Sequence, residues 1–185
     1  MKCLMRVAPI AFLGFLAACA AEPTMQAVER NAQTVAADET VVVFGLKYPE
    51  RLAIAEAEVL ADRSVIARLD AGAVKTDSGY AVMRLPAGRR YMVKGIFAEH
   101  PQQFYGQYYN FCEQGEVLTF RAPAGQVVYY GELEPKRVNS AYYLTPGYDL
   151  LSAAAFLKAV LPGFASQLQA EHFDKRRCLS ATPQE

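Results

Sequence analysis

The chain predicts a mainly β protein: an antiparallel β-sandwich followed by a C-terminal helical segment. Three observations predict it. From Thr40 onward, short apolar runs recur at regular spacing, punctuated by turn residues. Several of these runs alternate apolar and polar residues with the period of a strand. Near the C-terminus the period lengthens to that of a helix, with Leu150, Ala154, Leu157 and Leu161 forming one stripe.

The strands follow in order. Val41-Val42-Val43-Phe44 is uninterrupted and β-branched, as suits a strand buried on both faces. Gly79–Leu85 sets Ala81, Met83 and Leu85 against Tyr80, Val82 and Arg84. Arg89–Phe97 sets Tyr91, Val93 and Phe97 against Arg90, Met92 and Lys94. Val65–Leu69, Tyr105–Cys112, Val117–Arg121, Gln126–Leu133 and Val138–Leu144 are further strands by composition. Pro86-Ala87-Gly88 and Pro123-Ala124-Gly125 are two uses of one tight turn, Pro presetting φ and Gly accepting positive φ. Asp149 stands as N-cap of the helical stripe. Leu161-Pro162-Gly163 interrupts it, and Phe164 and Leu168 continue an apolar face on a second short helix that carries on towards His172.

The N-terminus has a different texture. Lys2 and Arg6 precede an uncharged run from Val7 to Ala18. As a helix that run reaches about 18 Å, short of a bilayer core of about 30 Å, so an export signal is expected rather than a spanning helix. Leu16-Ala17-Ala18-Cys19 closes it and resembles the lipobox of bacterial lipoproteins. The resemblance implies cleavage before Cys19, lipid on its thiol and acylation of the new amino group. It also implies, with Ala20 rather than Asp following, transfer to the outer membrane, the domain facing the periplasm. Residues 1–18 are then signal, 19–39 lipidated Cys and tether, 40–147 the sandwich, and 148–185 a helical cap and tail. Within the tether Met25, Val28, Ala32 and Val35 fall at helical spacing.

A second resemblance rests on Ala57-Glu58-Val59, Thr76-Asp77-Ser78-Gly79-Tyr80 and Leu85-Pro86-Ala87-Gly88-Arg89-Arg90-Tyr91. This pattern is similar to transthyretin-like or carboxypeptidase-regulatory-like sandwiches, with an immunoglobulin-like layer arrangement as the implied fold. It covers about 45 residues. The region from Tyr105 onward departs from it; there the Gly125…Tyr129-Tyr130-Gly131 strand, followed by the Pro-interrupted C-terminal helix, is similar to small bacterial lipoproteins of unassigned role. Neither resemblance brings catalytic residues.

In an exported chain the cysteines become simple to count. Cys3 leaves with the signal and Cys19 carries lipid, so Cys112 and Cys178 remain in an oxidising compartment. A Cys112–Cys178 disulfide is expected. Two free thiols, or a catalytic Cys with a distant His, are the alternatives.

Charge and motifs exclude several classes. Without Lys2 and Arg6, 17 Lys/Arg stand against 19 Asp/Glu, interspersed, so there is no basic field for nucleic acid. The two histidines, His100 and His172, match no zinc spacing, and no metal or cofactor is expected. Nucleophile-elbow, P-loop and dinucleotide patterns are absent. Glu56/Glu58 and Glu132/Glu134 lie two apart, each pair on one strand face, as outward glutamates commonly do. No enzyme is expected.

Aromatic residues are the one enrichment. Phe104, Tyr105, Tyr108, Tyr109 and Phe111 cluster, and Tyr129, Tyr130, Tyr142 and Tyr143 follow. Exposed tyrosines offer stiff contact area with a polar tip, whereas buried ones fill a core. Adjacent tyrosines on a strand face opposite ways, so some rings must turn outward or lie under the helix. The expected function is a non-catalytic envelope module touching a partner protein through Tyr105, Tyr108, Tyr109, Phe111, Tyr129 and Tyr130. The alternative is a glycan or small-ligand site in an aromatic pocket.

Overall fold

The computed structural model describes residues 25–29, 32–46, 51–75, 79–98, 107–139 and 141–179. Its strands are β1 (Gln26–Ala27), β2 (Glu39–Leu46), β3 (Arg51–Val59), β4 (Val65–Lys75), β5 (Tyr80–Pro86), β6 (Arg90–Ala98) and β7 (Gln107–Asn110). After a 3-10 turn at Phe111–Gln114 come β8 (Glu116–Arg121), β9 (Gln126–Val138) and β10 (Ala141–Gly147). Helices α1 (Leu150–Val160) and α2 (Pro162–Ala165) precede β11 (Leu168–Ala170) and β12 (Asp174–Arg177). The lipobox, Cys19, Tyr105, His100 and the Thr76-Asp77-Ser78 turn lie outside the described residues.

Two sheets form the sandwich. One runs β1-β5-β2-β9-β10, with β11 also beside β9; the other runs β12-β8-β6-β3-β4, with β7 also beside β6. Pairing is antiparallel except at β2–β9 and β11–β9, which are parallel. The second sheet curls until its edges meet. Val65 of β4 bridges Cys178, the Leu179 N–H donates to the Val65 carbonyl at 2.9 Å, and Arg177 pairs with Asp62.

In the first sheet β2 is buried on both faces, which the Val41–Phe44 run required. Inward, Val42, Phe44, Met83, Leu85 and Tyr130 meet Tyr91, Val93 and Phe120 of the second sheet. Outward, Val41, Val43, Val127 and Tyr129 lie under Ala153, Leu157, Leu161 and Phe164 of the helices. On β5 the expected alternation holds, with Ala81, Met83 and Leu85 buried. Both Pro-Ala-Gly turns form, with φ of 78° at Gly88 and 68° at Gly125. They abut, the Gly88 N–H donating to the Ala122 carbonyl at 2.7 Å.

The structure corrects several expected elements. On β6 the pairing with β3 slips between Ala53 and Ile54, so the Phe97 end changes face: Ile96 is buried and Phe97 only partly so. A bulge at Lys94 reverses the alternation beyond it, beside Gly95, the residue type that often marks one inside a strand. The expected Tyr105–Cys112 strand ends at Asn110, whose side chain accepts the Cys112 N–H at 3.0 Å and starts the 3-10 turn. The expected Val138–Leu144 strand is a hairpin junction, with Asn139 at φ 57°.

The C-terminal part is less helical than its spacing predicts. α2 stops at Ala165, and Leu168–Ala170 adds to β9 at Val127–Tyr129, the stretch of that edge that β10 leaves uncovered. Pairing satisfies backbone groups on both strands that a second helix would have left open. His172 lies in the link to β12, not on a helix, and Leu150 is 39% exposed while Ala153 takes the buried place beside Leu157 and Leu161. Most described residues of the expected 19–39 tether are joined to the domain instead. The Met25 N–H donates to the Ala71 carbonyl at 3.1 Å, β1 pairs with β5, and Val28, Ala32 and Val35 pack into the core beneath the helices without forming a helix.

Candidate functional site

Among the described rings expected to make contacts, Tyr108 and Tyr109 reach the surface; Tyr143 and Tyr148, outside that set, are exposed too, at 50% and 46%. β7 pairs with β6 so that Phe97 faces Tyr108 and Gly95 faces Asn110. Gly95 makes room for this: a Cβ there would stand 2.6 Å from the Tyr108 ring and against the Tyr109 carbonyl. The Tyr108 and Phe97 rings lie 4.8 Å apart, and the Arg51 guanidinium sits 5.6 Å from the Phe97 ring centre. Tyr108 remains 38% exposed. Burial of the rest of its ring, then the negative charges of Asp70 and Glu113, raises its hydroxyl pKa. Tyr109 is half-buried and donates its hydroxyl to Gln107 Oε1 at 2.7 Å. Beside them the Lys94–Asp70 ion pair, at 2.7 Å, gives the patch a polar margin.

The other expected contact residues lie elsewhere, and here the structure corrects the sequence. Tyr129 and Tyr130 point to opposite faces of β9, but both faces are covered. Tyr129 lies under the helices, its hydroxyl accepting the Asp149 N–H at 3.2 Å; Tyr130 packs against Phe120 in the sandwich and donates to the Arg121 carbonyl. Phe111 is 4% exposed. None of the three is available to a partner's surface.

Phe111 instead helps to line a cavity of about 220 Å³ between β8, the 3-10 turn and β10. Phe111, Leu118 and Leu144 supply apolar walls, and Gln114, Tyr143 and Thr145 add polar atoms. Lys175 and Glu116 also line it and pair with each other at 2.5 Å. The Cys112–Cys178 disulfide, Cα–Cα 4.9 Å, ties the turn on one side of this cavity to the end of β12 on the other. Sequence spacing found the two cysteines. It missed Phe97 and Arg51, which join the Tyr108 patch through strand pairing, and the cavity, whose walls come from three distant segments.

The expected carboxylate pairs are occupied by neighbours: Glu56 by Arg89 at 2.7 Å, Glu58 by Arg68 at 3.9 Å, and Glu132 by the Tyr80 hydroxyl at 3.1 Å. Among the described residues no group of three or more His, Cys, Asp or Glu is placed to hold a metal, and no helix is long and apolar enough to cross a membrane. No family model matches the chain, and neither a curated protein nor a solved structure matches it.

Proposed function

We propose that this chain is a lipid-anchored module of the bacterial cell envelope, tied through Cys19 to the outer membrane and contacting a partner protein without catalysis. The anchor rests on Leu16-Ala17-Ala18-Cys19. The contact rests on one observation: the Tyr108 ring packs 4.8 Å from the Phe97 ring at a sheet edge, with the Arg51 guanidinium over Phe97, and stays 38% exposed. Tyrosine and arginine at a surface carry much of the energy of protein contacts, since they offer large area at low entropic cost. A partner strand or loop laid along β7 meets the ring edge-on while the sandwich holds it rigid. Crosslinking in intact cells tests this. Tyr108→Ala with Tyr109→Ala lowers capture of the envelope partner; unchanged capture removes the patch from the proposal.

A second reading has its own observation, the 220 Å³ cavity, which is smaller than the roughly 300–1,000 Å³ of most ligand sites and so has room for a fragment-sized ligand such as part of a glycan. Of the expected contact residues described, Phe111 reaches it, joined by Tyr143 of the wider aromatic set. A rise in melting temperature with muropeptides, abolished by Leu118→Trp, favours this reading over the protein contact.

A further inference from the structure

We propose that the outer side of α1 and α2 rests on the lipid surface to which the chain is tied. This deepens the anchored reading and depends on it.

Helix α1 is apolar all round. Of its 11 residues, LLSAAAFLKAV, only Ser152 and Lys158 are polar. Such a helix is ordinarily covered all round, yet here only one side is covered. Ala153 and Leu157 are buried against the sheet, while Leu151 is 84% exposed and Leu150 and Val160 are about two-fifths exposed. Between the helices lies an open apolar concavity of about 470 Å³, lined by Ala154, Ala155, Lys158, Pro162, Ala165 and Ser166. No polar row balances these residues on the outer side.

The path of the chain says what covers them. Only five residues, 20–24, lie between Cys19 and Met25, which is already bonded to Ala71. Fully extended, the six steps from Cys19 to Met25 reach about 20 Å. The headgroup layer takes up about 6 Å of that. The domain therefore stands against the bilayer rather than away from it. From Met25 the chain runs through β1 directly to the helices: Val28, Ala32 and Val35 share one core with Leu157, Leu161 and Phe164, and the Gln33 backbone abuts Gly163. Met25 itself lies at the sandwich edge beside Ala71 of β4, and the next residue, Gln26, pairs with Arg84, whose guanidinium lies 6.0 Å from the Phe164 ring of α2, so the tied edge adjoins the bare helices. Lys158, the only charge on either helix, lies on this outer side, where its stem can follow the apolar surface to a lipid phosphate.

The chain contains no Trp, so one introduced Trp reports its own surroundings. Full-length protein is taken from membranes and checked by intact mass for lipid on Cys19. It is then placed in phosphatidylethanolamine–phosphatidylglycerol vesicles with brominated acyl chains. Leu151→Trp, and independently Ala155→Trp, emit to the blue and lose roughly half their intensity, as expected of a helix lying 5–10 Å into the interface. Val59→Trp, on the opposite sheet, does neither. Lipidated protein whose Leu151→Trp and Ala155→Trp are unquenched overturns the resting face and leaves the anchor standing. Blue emission without quenching, together with self-association, assigns the face to a second copy and likewise overturns the proposal. A mass without lipid overturns the anchor, and the resting face with it.

Discussion

Removing the disulfide is the perturbation whose cost follows most directly from the topology. Cys112 and Cys178 are 66 residues apart, and the loop they close contains β8, β9, β10, both helices, β11 and β12. In the chain-entropy account a loop of that length restricts the unfolded chain by roughly 4 kcal/mol. Cys112→Ala with Cys178→Ala leaves the local contacts in place: the β12 ladder on β8, the Arg177–Asp62 pair, and the Cys178 N–H bond to the Gly115 carbonyl at 2.9 Å. The folded state therefore survives, and the loss falls on the unfolded side. At 2–4 °C per kcal/mol for a domain of this size, the melting temperature drops by about 8–16 °C. Calorimetry of the wild type with and without reductant, beside the double variant, reads this directly. A drop under about 2 °C, with a wild type indifferent to reductant, would refute it: the tail would then be held by its strand pairing alone.

Three further outcomes follow from packing and protonation. Leu157→Ala empties a fully buried place beneath the helices and lowers stability by about 2–5 kcal/mol in urea unfolding. Gly163→Ala puts a Cβ 2.8 Å from Gln33 Cα and 3.1 Å from the Ala32 carbonyl, backbone that cannot yield cheaply. Hydrogen exchange at Ala32–Val35 therefore quickens while β2 keeps its protection. Burial pushes the Tyr91 and Tyr129 hydroxyls up to about 12 from an ordinary value of 10. Because the folded value is the higher one, their contribution is intact below pH 10 and drains away between about pH 10 and 12. Absorbance at 295 nm shows these rings ionising late, and urea midpoints fall over the same range; midpoints flat to pH 12 contradict it.

Strand interiors were legible because burial imposes a period that side chains reveal. Val41–Phe44 and Ala81/Met83/Leu85 needed only that period, and both Pro-Ala-Gly turns needed only the conformational limits of Pro and Gly. What the sequence hid depends on contacts between distant segments. The β6 slip that turns Phe97 outward is a matter of pairing with β3; Gly95 inside the run hints at a bulge, but only the pairing decides which residue is extra. β11 and β12 carry no alternating apolar pattern, Gln169 and Ala170 being exposed and Asp174–Arg177 all charged. They are strands because β9 and β8 have edges to offer them. For the same reason the tyrosine patch was only half readable. Composition found Tyr108 and Tyr109, but Tyr129 and Tyr130 look identical in sequence and are core residues, because sheet and helix cover both faces of β9.

Intact-mass measurement of the full-length product recovered from bacterial membranes tests the central claim most directly. The account predicts a chain beginning at residue 19, heavier than its 167 amino acids by a diacylglycerol thioether and one amide-linked acyl group. A mass equal to the unmodified chain, with or without residues 1–18, would contradict it.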